Sequence, residues 1–352
     1  MNRIRPLIIL VVVLAIFGAV GGWLLGRADI GRAGGTTELK ALVGSEKLAY
    51  FNDPAVKQAL AKHGWSVRAD QAGSRQMPTR TPGYDFAFPS SRAAAAEIRA
   101  HAHAAGDDVV VFSSPLAIAT FSQIVDLLQV AKLAARDPAD RVWRLDLKAL
   151  ADANQRNLKW TDIPGNTTRP VAQNVLVATA RPADSNSAAM FAYLLNQATG
   201  GNIGAIAKLF TDQGAVDSTS EEPFEAYLRT GGNSAPMVLV YEAQFVDQAV
   251  NVGFKGQETL LYPTPTVMCR HTIVPLSDNG VTVAKLLAGD PELQRLAAKH
   301  GFRTADASLS GPVLDKVRPG DAALPKTVDG ALADPDFQSQ QALLKSLEEK
   351  MS

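Results

Sequence analysis

Short unbroken apolar runs alternate with helix-like stretches over most of this chain, and that alternation limits the folds open to it. Leu39–Val43, Val109–Phe112, Met237–Tyr241 and Thr259–Tyr262 are too short for helices and too uniformly apolar for half-exposed strands. Strands buried on both faces read this way, so the runs predict a parallel sheet covered by helices on either side. Ser66–Ala69, Tyr84–Phe88 and Asn174–Ala180 read as further strands. Helical stretches separate them: Asp53-Pro54 to Gly64, Ser91–Ala104, Ala188–Gln197, Asn202–Phe210 and Glu221–Leu228. The fold class is α/β.

Composition narrows the functional classes. The chain has 352 residues, 46% of them hydrophobic, enough for about two domains with ample core. Its 35 basic and 35 acidic side chains cancel, which leaves no basic face for nucleic acid. The single cysteine, Cys269, rules out an internal disulfide framework and a cysteine-rich zinc module.

The first segment bears on compartment. Pro6–Gly26 follows Arg3 and Arg5 and carries no charge. Its length of about 20 residues suits one membrane-spanning helix. A cleaved signal peptide processed around Ala19-Val20-Gly21 is the rival reading, but Trp23-Leu24-Leu25 prolongs the apolar run beyond the usual length of such segments. No cysteine follows the run to carry a lipid. Arg27, Arg32 and Lys40 on the far side offset the charge bias of Arg3 and Arg5. The expectation is a single-pass cell-membrane protein: residues 1–5 cytoplasmic, 6–26 the anchor, 27–38 a tether, and the bulk extracytoplasmic. Gly18, Gly22 and Gly26 line one face of that helix, a weak signal for close helix pairing.

Two passages look like crossings between lobes. In Val111–Thr120 an apolar strand runs through Ser-Ser-Pro into more apolar sequence, and Thr264–Pro275 does the same in return. A chain that leaves one α/β lobe, builds a second and comes back forms two lobes joined by a double-crossing hinge, with ligands held in the cleft. The expected division is 39–119 with 266–325 for the first lobe and 120–265 for the second. Residues 326–352 form a tail whose short amphipathic helix, with Phe337, Leu343, Leu344 and Leu347 on one face, packs on the first lobe. An internal echo, Asp53–Trp65 against Asp290–Phe302, reads as two surface helices with Asp-Pro starts and Lys-His-Gly stops. Their histidines, His63 and His300, sit where a cation complements a helix C-terminus.

The order of motifs resembles the type II periplasmic solute-binding proteins, the group with molybdate, sulfate and phosphate binders. The carriers are Gly44-Ser45-Glu46, Ala72-Gly73-Ser74-Arg75, Phe112-Ser113-Ser114-Pro115, Trp160-Thr161-Asp162, Pro182–Ser187 and Tyr262-Pro263-Thr264-Pro265. They span about Leu39 to Ala323 and speak more to the fold than to the ligand. Ser45, Ser74, Ser113, Ser114 and the turn Ser185-Asn186-Ser187 close apolar strands, and most lead into helices, so hydroxyls and free backbone N–H groups can converge on one small polar or anionic ligand. Arg75 and Lys47 could add positive charge, Asp184 could cap its helix or repel an oxyanion, Tyr241 could form a wall, and Thr264 completes the set. The plainer reading of each serine or asparagine is an N-cap, and of each long basic side chain a solvated surface group.

No enzyme motif survives scrutiny. Cys269 and His271 share a strand face, but a lone buried cysteine behaves as a small apolar residue. His101 and His103 point in different directions on a helix. Gly200–Gly204 follows a helix, which breaks the dinucleotide-loop pattern. The expectation is a non-enzymatic protein with no cofactor and no metal. It is either a tethered solute receptor that works with a membrane partner or a degenerate binding fold serving a membrane complex as scaffold or regulatory subunit.

Overall fold

The central strands Phe86–Phe88, Val238–Tyr241, Glu258–Thr264 and Thr266–Pro275 are largely buried, and many of the helices start at a capping side chain. In the computed structural model, residues 35–136, 138–214, 219, 221–317 and 322–352 are described. The Pro6–Gly26 run lies outside them, and among the described residues no helix is long and apolar enough to cross a membrane.

The chain opens with β1 (Thr37–Val43), α1 (Leu48–Asn52), α2 (Pro54–Lys62), β2 (Trp65–Gln71), β3 (Phe86–Phe88), α3 (Arg92–His101) and the long β4 (Val109–Phe121). It continues with α4 (Ser122–Val130), β5 (Ala134–Arg136), β6 (Trp143–Asp146), α5 (Leu147–Gln155), α6 (Asn186–Ala198), α7 (Ile203–Thr211), α8 (Glu221–Thr230), β7 (Val238–Tyr241) and α9 (Glu242–Asp247). Then come β8 (Glu258–Thr264), β9 (Thr266–Pro275), α10 (Asp278–Gly289), α11 (Pro291–Lys299), α12 (Ala307–Leu314), β10 (Ala331–Leu332) and α13 (Phe337–Met351).

Hydrogen bonding orders the strands β2-β1-β3-β9-β4-β8-β6-β5, with β7 added to β4 and β10 to β9. The sheet is mixed, which corrects the parallel expectation. β1 pairs β3 and β6 pairs β8 in parallel, whereas β9 runs antiparallel to β3 and β4, and β4 antiparallel to β7 and β8. Both crossing strands cause this: β9 runs against its neighbour β3 on one side of the sheet, and β4 runs against β7 and β8 on the other.

β4 and β9 connect two apolar cores. Val111 and Phe112 of β4 pack with Leu39, Val43, Phe51 and Phe88 in the first core, while Leu116 to Phe121 pack with Leu145, Trp160, Phe191 and Tyr241 in the second. On β9, Ile273 joins the first core and Val267 and Cys269 the second. Their ladder runs from Val109↔Ile273 to Pro115↔Met268, with one irregularity between Val110 and Phe112. Both cores bury aliphatic and aromatic side chains, so apolar burial stabilises the sheet on each side of the crossing strands.

Asn174–Ala180 is not the strand its composition predicts. Its backbone is spent on single contacts: Val175 N donates to Leu158 O, Thr179 N to the Gln213 side chain, and Ala178 makes an isolated bridge with Val238. The segment has strand-like residues but no long neighbour to pair with.

The repeated helices are clasped to each other. Asp53 caps α2 and Asp290 caps α11, each accepting backbone N–H bonds. His63, at the end of α2, lies 3.1 Å from Asp290, and His300, at the end of α11, lies 3.0 Å from Asp53. Each histidine thus faces the acidic cap of the other helix. α13 runs along both halves: Gln341 accepts from Arg75 at 3.2 Å near β2, and Gln340 sits beside Met190 of α6.

Candidate functional site

The ends of strands from both halves meet at one small polar cavity. Gly44, Ser45 and Glu46 follow β1, Ala72 to Ser74 follow β2, and Ser90 follows β3. Ser185, Asn186 and Ser187 open α6, Tyr241 ends β7, and Thr219 completes the described lining. The cavity measures about 10 Å³, room for one water-sized occupant. Larger hollows exist, such as one of about 400 Å³ beside Trp160, Asn174 and Asp212, but that one lies wholly on the second-core side.

Ser185 sits at the N-cap position of α6 without capping it; its hydroxyl lies 2.9 Å from that of Ser187. The N-cap side chain therefore leaves the first N–H groups of α6 uncapped. Asn186 is committed: Oδ1 accepts from Ser91 at 2.6 Å and Nδ2 donates to the Tyr241 hydroxyl at 3.0 Å. That pair of bonds ties the start of α3, in one half, to α6 and β7, in the other.

Gly73 sits at a close backbone approach to Asp184. A Cβ at this position would lie 2.5 Å from the Asp184 carbonyl oxygen. Only hydrogen fits there, so glycine is required by space.

Beneath the serines lies a buried charged cluster. Glu46 and Lys47 form an ion pair with side chains almost wholly removed from solvent, and Ser90 Oγ donates to Glu46 Oε1 at 2.5 Å. Burial pushes the Glu46 carboxyl up, but Lys47 and His271 beside it more than offset that and hold it well below the usual carboxylate range. Burial pushes the Lys47 ammonium down, opposed by Glu46. His271, with Nδ1 3.4 Å from Glu46, is pushed down to about 4 by burial and by Lys47, so it is neutral at pH 7. Burial raises the Cys269 thiol well above its ordinary value. A protonated thiol beside a weakly basic imidazole is the reverse of what a nucleophile and its base require. Among the described residues, no three His, Cys, Asp or Glu side chains cluster as metal ligands do.

Of the sequence-predicted residues, Ser45, Ser74, Ser185, Asn186, Ser187 and Tyr241 come together here. Asp184 stands at the rim, 2.6 Å from Arg181 and 3.5 Å from Gln76. The others are engaged elsewhere. Arg75 binds Glu97 at 3.0 Å and Gln341; Ser113 donates to Arg303 O at 3.3 Å; Ser114 accepts from Ala243 N at 3.1 Å. Thr264 ends β8 and lines a different hollow with Pro325 and Gly330. Sequence reasoning missed Ser90 and Glu46. Ser90 follows an apolar strand and precedes a helix, the same pattern that singled out the other serines.

No protein-family model matches the chain, and no curated protein does either. Its shape has many solved counterparts. The periplasmic binding protein AfuA from Actinobacillus pleuropneumoniae, with fructose-6-phosphate bound, superposes with a TM-score of 0.60 at 10% identity, covering 91% of this chain and 99% of that one. A periplasmic thiamin-binding protein gives 0.56 at 11%, covering 92% and 98%. The sulfate-binding protein SubI from Mycobacterium tuberculosis gives 0.54 at 13%, covering 79% and 91%. The fold is that of the type II periplasmic binding proteins, as the motif order implies.

Proposed function

We propose that this chain is an extracytoplasmic solute-binding protein, held to the membrane by residues 6–26, that closes its two halves on one small polar solute. The observation that carries this reading is the convergence of Ser45, Ser74 and Ser90 from one half and Ser185, Ser187 and Tyr241 from the other on a single cavity. The structural counterparts, which are binding proteins, support it. A binding protein of this build does no covalent chemistry; it selects a solute and presents it, closed, to a membrane partner. β4 and β9 then serve as the two hinge strands.

A second reading has its own support. The water-sized cavity also suits a permanently closed scaffold or regulatory subunit of a membrane complex.

Gly73→Ala separates the two. The added methyl cannot coexist with the Asp184 carbonyl, so the halves must part by roughly an ångström and bound solute must be lost. Mass spectrometry of the heat-denatured protein is expected to release a solute from wild type and none from Gly73→Ala. Release from neither protein would leave the scaffold as the better reading. For the anchor, the full-length protein is expected to stay in the membrane fraction after carbonate washing; a mature N-terminus near Gly21 would remove that part of the proposal.

A further inference from the structure

The C-terminal helix α13 touches both halves, and the two contacts differ in kind. Toward the second core it is apolar. Leu343 and Leu347 belong to that core, and Leu344 and Leu347 line one hollow with Pro182 and Ala183, shortly before the start of α6. Buried Gln340 sits against Met190 of α6, and the Tyr193 hydroxyl of α6 donates to Ala333 O at 3.1 Å, just ahead of the helix. Burial of the three leucines makes this the stronger attachment.

Toward the first half the contact is polar and narrow. α13 packs beside α3 there, and among the described residues its side-chain hydrogen bond across the seam is Arg75 Nη2 donating to Gln341 Oε1 at 3.2 Å. Arg75 is held from its own half by Glu97 of α3, 3.0 Å away, and its buried Nε has no partner among the described residues. Burial pushes the guanidinium down, opposed by Glu97, Asp184 and Glu348, which stand on the first half, the second half and α13 respectively. Arg75 follows Ser74 of the cavity lining, and Asp184 precedes Ser185 of the same lining. The place where the halves and the helix meet is therefore one residue from the cavity.

The lead into α13 comes off the crossing strands. β10 pairs with β9 at Thr266 and Val267, and Arg270 of β9 donates to Asp334 at 2.9 Å. A helix rooted on a crossing strand and packed into the second core moves with the second half. When the halves part, it separates from the first half at the Arg75–Gln341 seam.

We propose that α13 is a strap that holds the two halves together, and that the contact of Gln341 with Arg75 sets how often the cavity opens. The proposal rests on the reading of two halves that close over the cavity and concerns the regulation of that closure. A state that requires the bond to break is populated in proportion to what breaking it costs.

The test is hydrogen–deuterium exchange of the full-length protein with no solute added, comparing wild type with Gln341→Lys and Gln341→Glu. Lysine sets a second cation against Arg75, whereas glutamate gives the guanidinium a charged acceptor. In Gln341→Lys the segments 72–77 and 185–190 should exchange about tenfold faster or more, and in Gln341→Glu more slowly, while β1 and β7 keep their wild-type rates. Exchange at 72–77 and 185–190 that neither variant changes would overturn the strap alone. So would Gln341→Lys speeding β1 and β7 by the same factor, since the helix would then only stabilise the fold. Cavity segments that exchange no faster than β1 and β7 in wild type and in both variants would overturn the opening of the halves and the strap together.

Discussion

Arg303→Leu is expected to lower the unfolding free energy by about 3–5 kcal/mol, the cost of leaving a buried charge without its partner. Arg303 Nε donates to Glu242 Oε1 at 2.7 Å and Nη2 to Oε2 at 2.8 Å, a two-pronged pair in which Glu242 is wholly buried. Tyr262 donates to the same carboxylate at 2.5 Å, and Arg303 also bonds the carbonyls of Pro325 and Lys326 at 2.6 and 2.9 Å. The backbone of Arg303 pairs with Ser113 on β4 through two bonds of 2.8 Å. One residue therefore joins the crossing strand, the start of α9 and the chain leading to α13. Leucine matches part of the volume but leaves Glu242 with a single hydroxyl. The double variant Arg303→Leu with Glu242→Leu removes both charges and should recover most of the loss, since an apolar pair of similar size can replace a buried ion pair. Urea unfolding followed by tryptophan fluorescence measures both. A loss below about 1 kcal/mol in the single variant would show that the pair is not the stabilising contact its geometry indicates.

Local chemistry made much of this legible from the residues alone. Asp53 and Asp290 announce helix starts by side-chain capping, a property of the residue and its immediate neighbours. The serines at the ends of β1 and β2 and at the start of α6 were legible for the same reason: an apolar run that stops at a small polar residue before a helix puts that residue at the sheet's end. What could not be read depends on partners distant in sequence. The antiparallel entry of β9 is set by topology, while its Thr-Ile-Val composition is equally at home in a parallel strand. Asn174–Ala180 has the residues of a strand but makes only isolated bridges, Asn174 to Lys159 and Ala178 to Val238 of β7. Lys47 is the sharpest case. A lysine beside a turn is ordinarily solvated, and it turns inward here because Glu46, Ser90 and the Phe88 face together supply a charge, a hydroxyl and a ring. Ser90 comes from the far side of the β2–β3 connection, so the pattern exists only once the sheet has formed.

Glu221 gives the second large effect, one that depends on pH. Burial, countered in part by the Gln244 side chain and reinforced by Glu225, Glu46 and Asp247, pushes its carboxyl up to about 7 from an ordinary 4.5. Gln244 Nε2 donates to Glu221 Oε2 at 2.7 Å, a bond that the protonated acid keeps. Because the folded state holds this proton more tightly than the unfolded chain, the stabilisation is full below pH 4.5 and is lost as pH rises through about 7, by roughly 3 kcal/mol in all. His271 works in the opposite sense. Its folded value near 4 makes stability rise with pH between about 4 and the unfolded value of 6.5. In wild type the two slopes largely cancel across the shared window. Glu221→Gln removes one of them while keeping a hydrogen-bonding amide beside Gln244. The stability of Glu221→Gln relative to wild type should therefore climb by roughly 3 kcal/mol from pH 4 to pH 8, with most of the rise between pH 5 and 7.5. Unfolding titrations at half-unit pH intervals give that difference directly. A difference that stays constant with pH would mean that Glu221 is ionised in the folded protein at neutral pH. The stretch of chain that carries Thr219 to the cavity would then begin α8 with a charge, adding to the negative potential on that side.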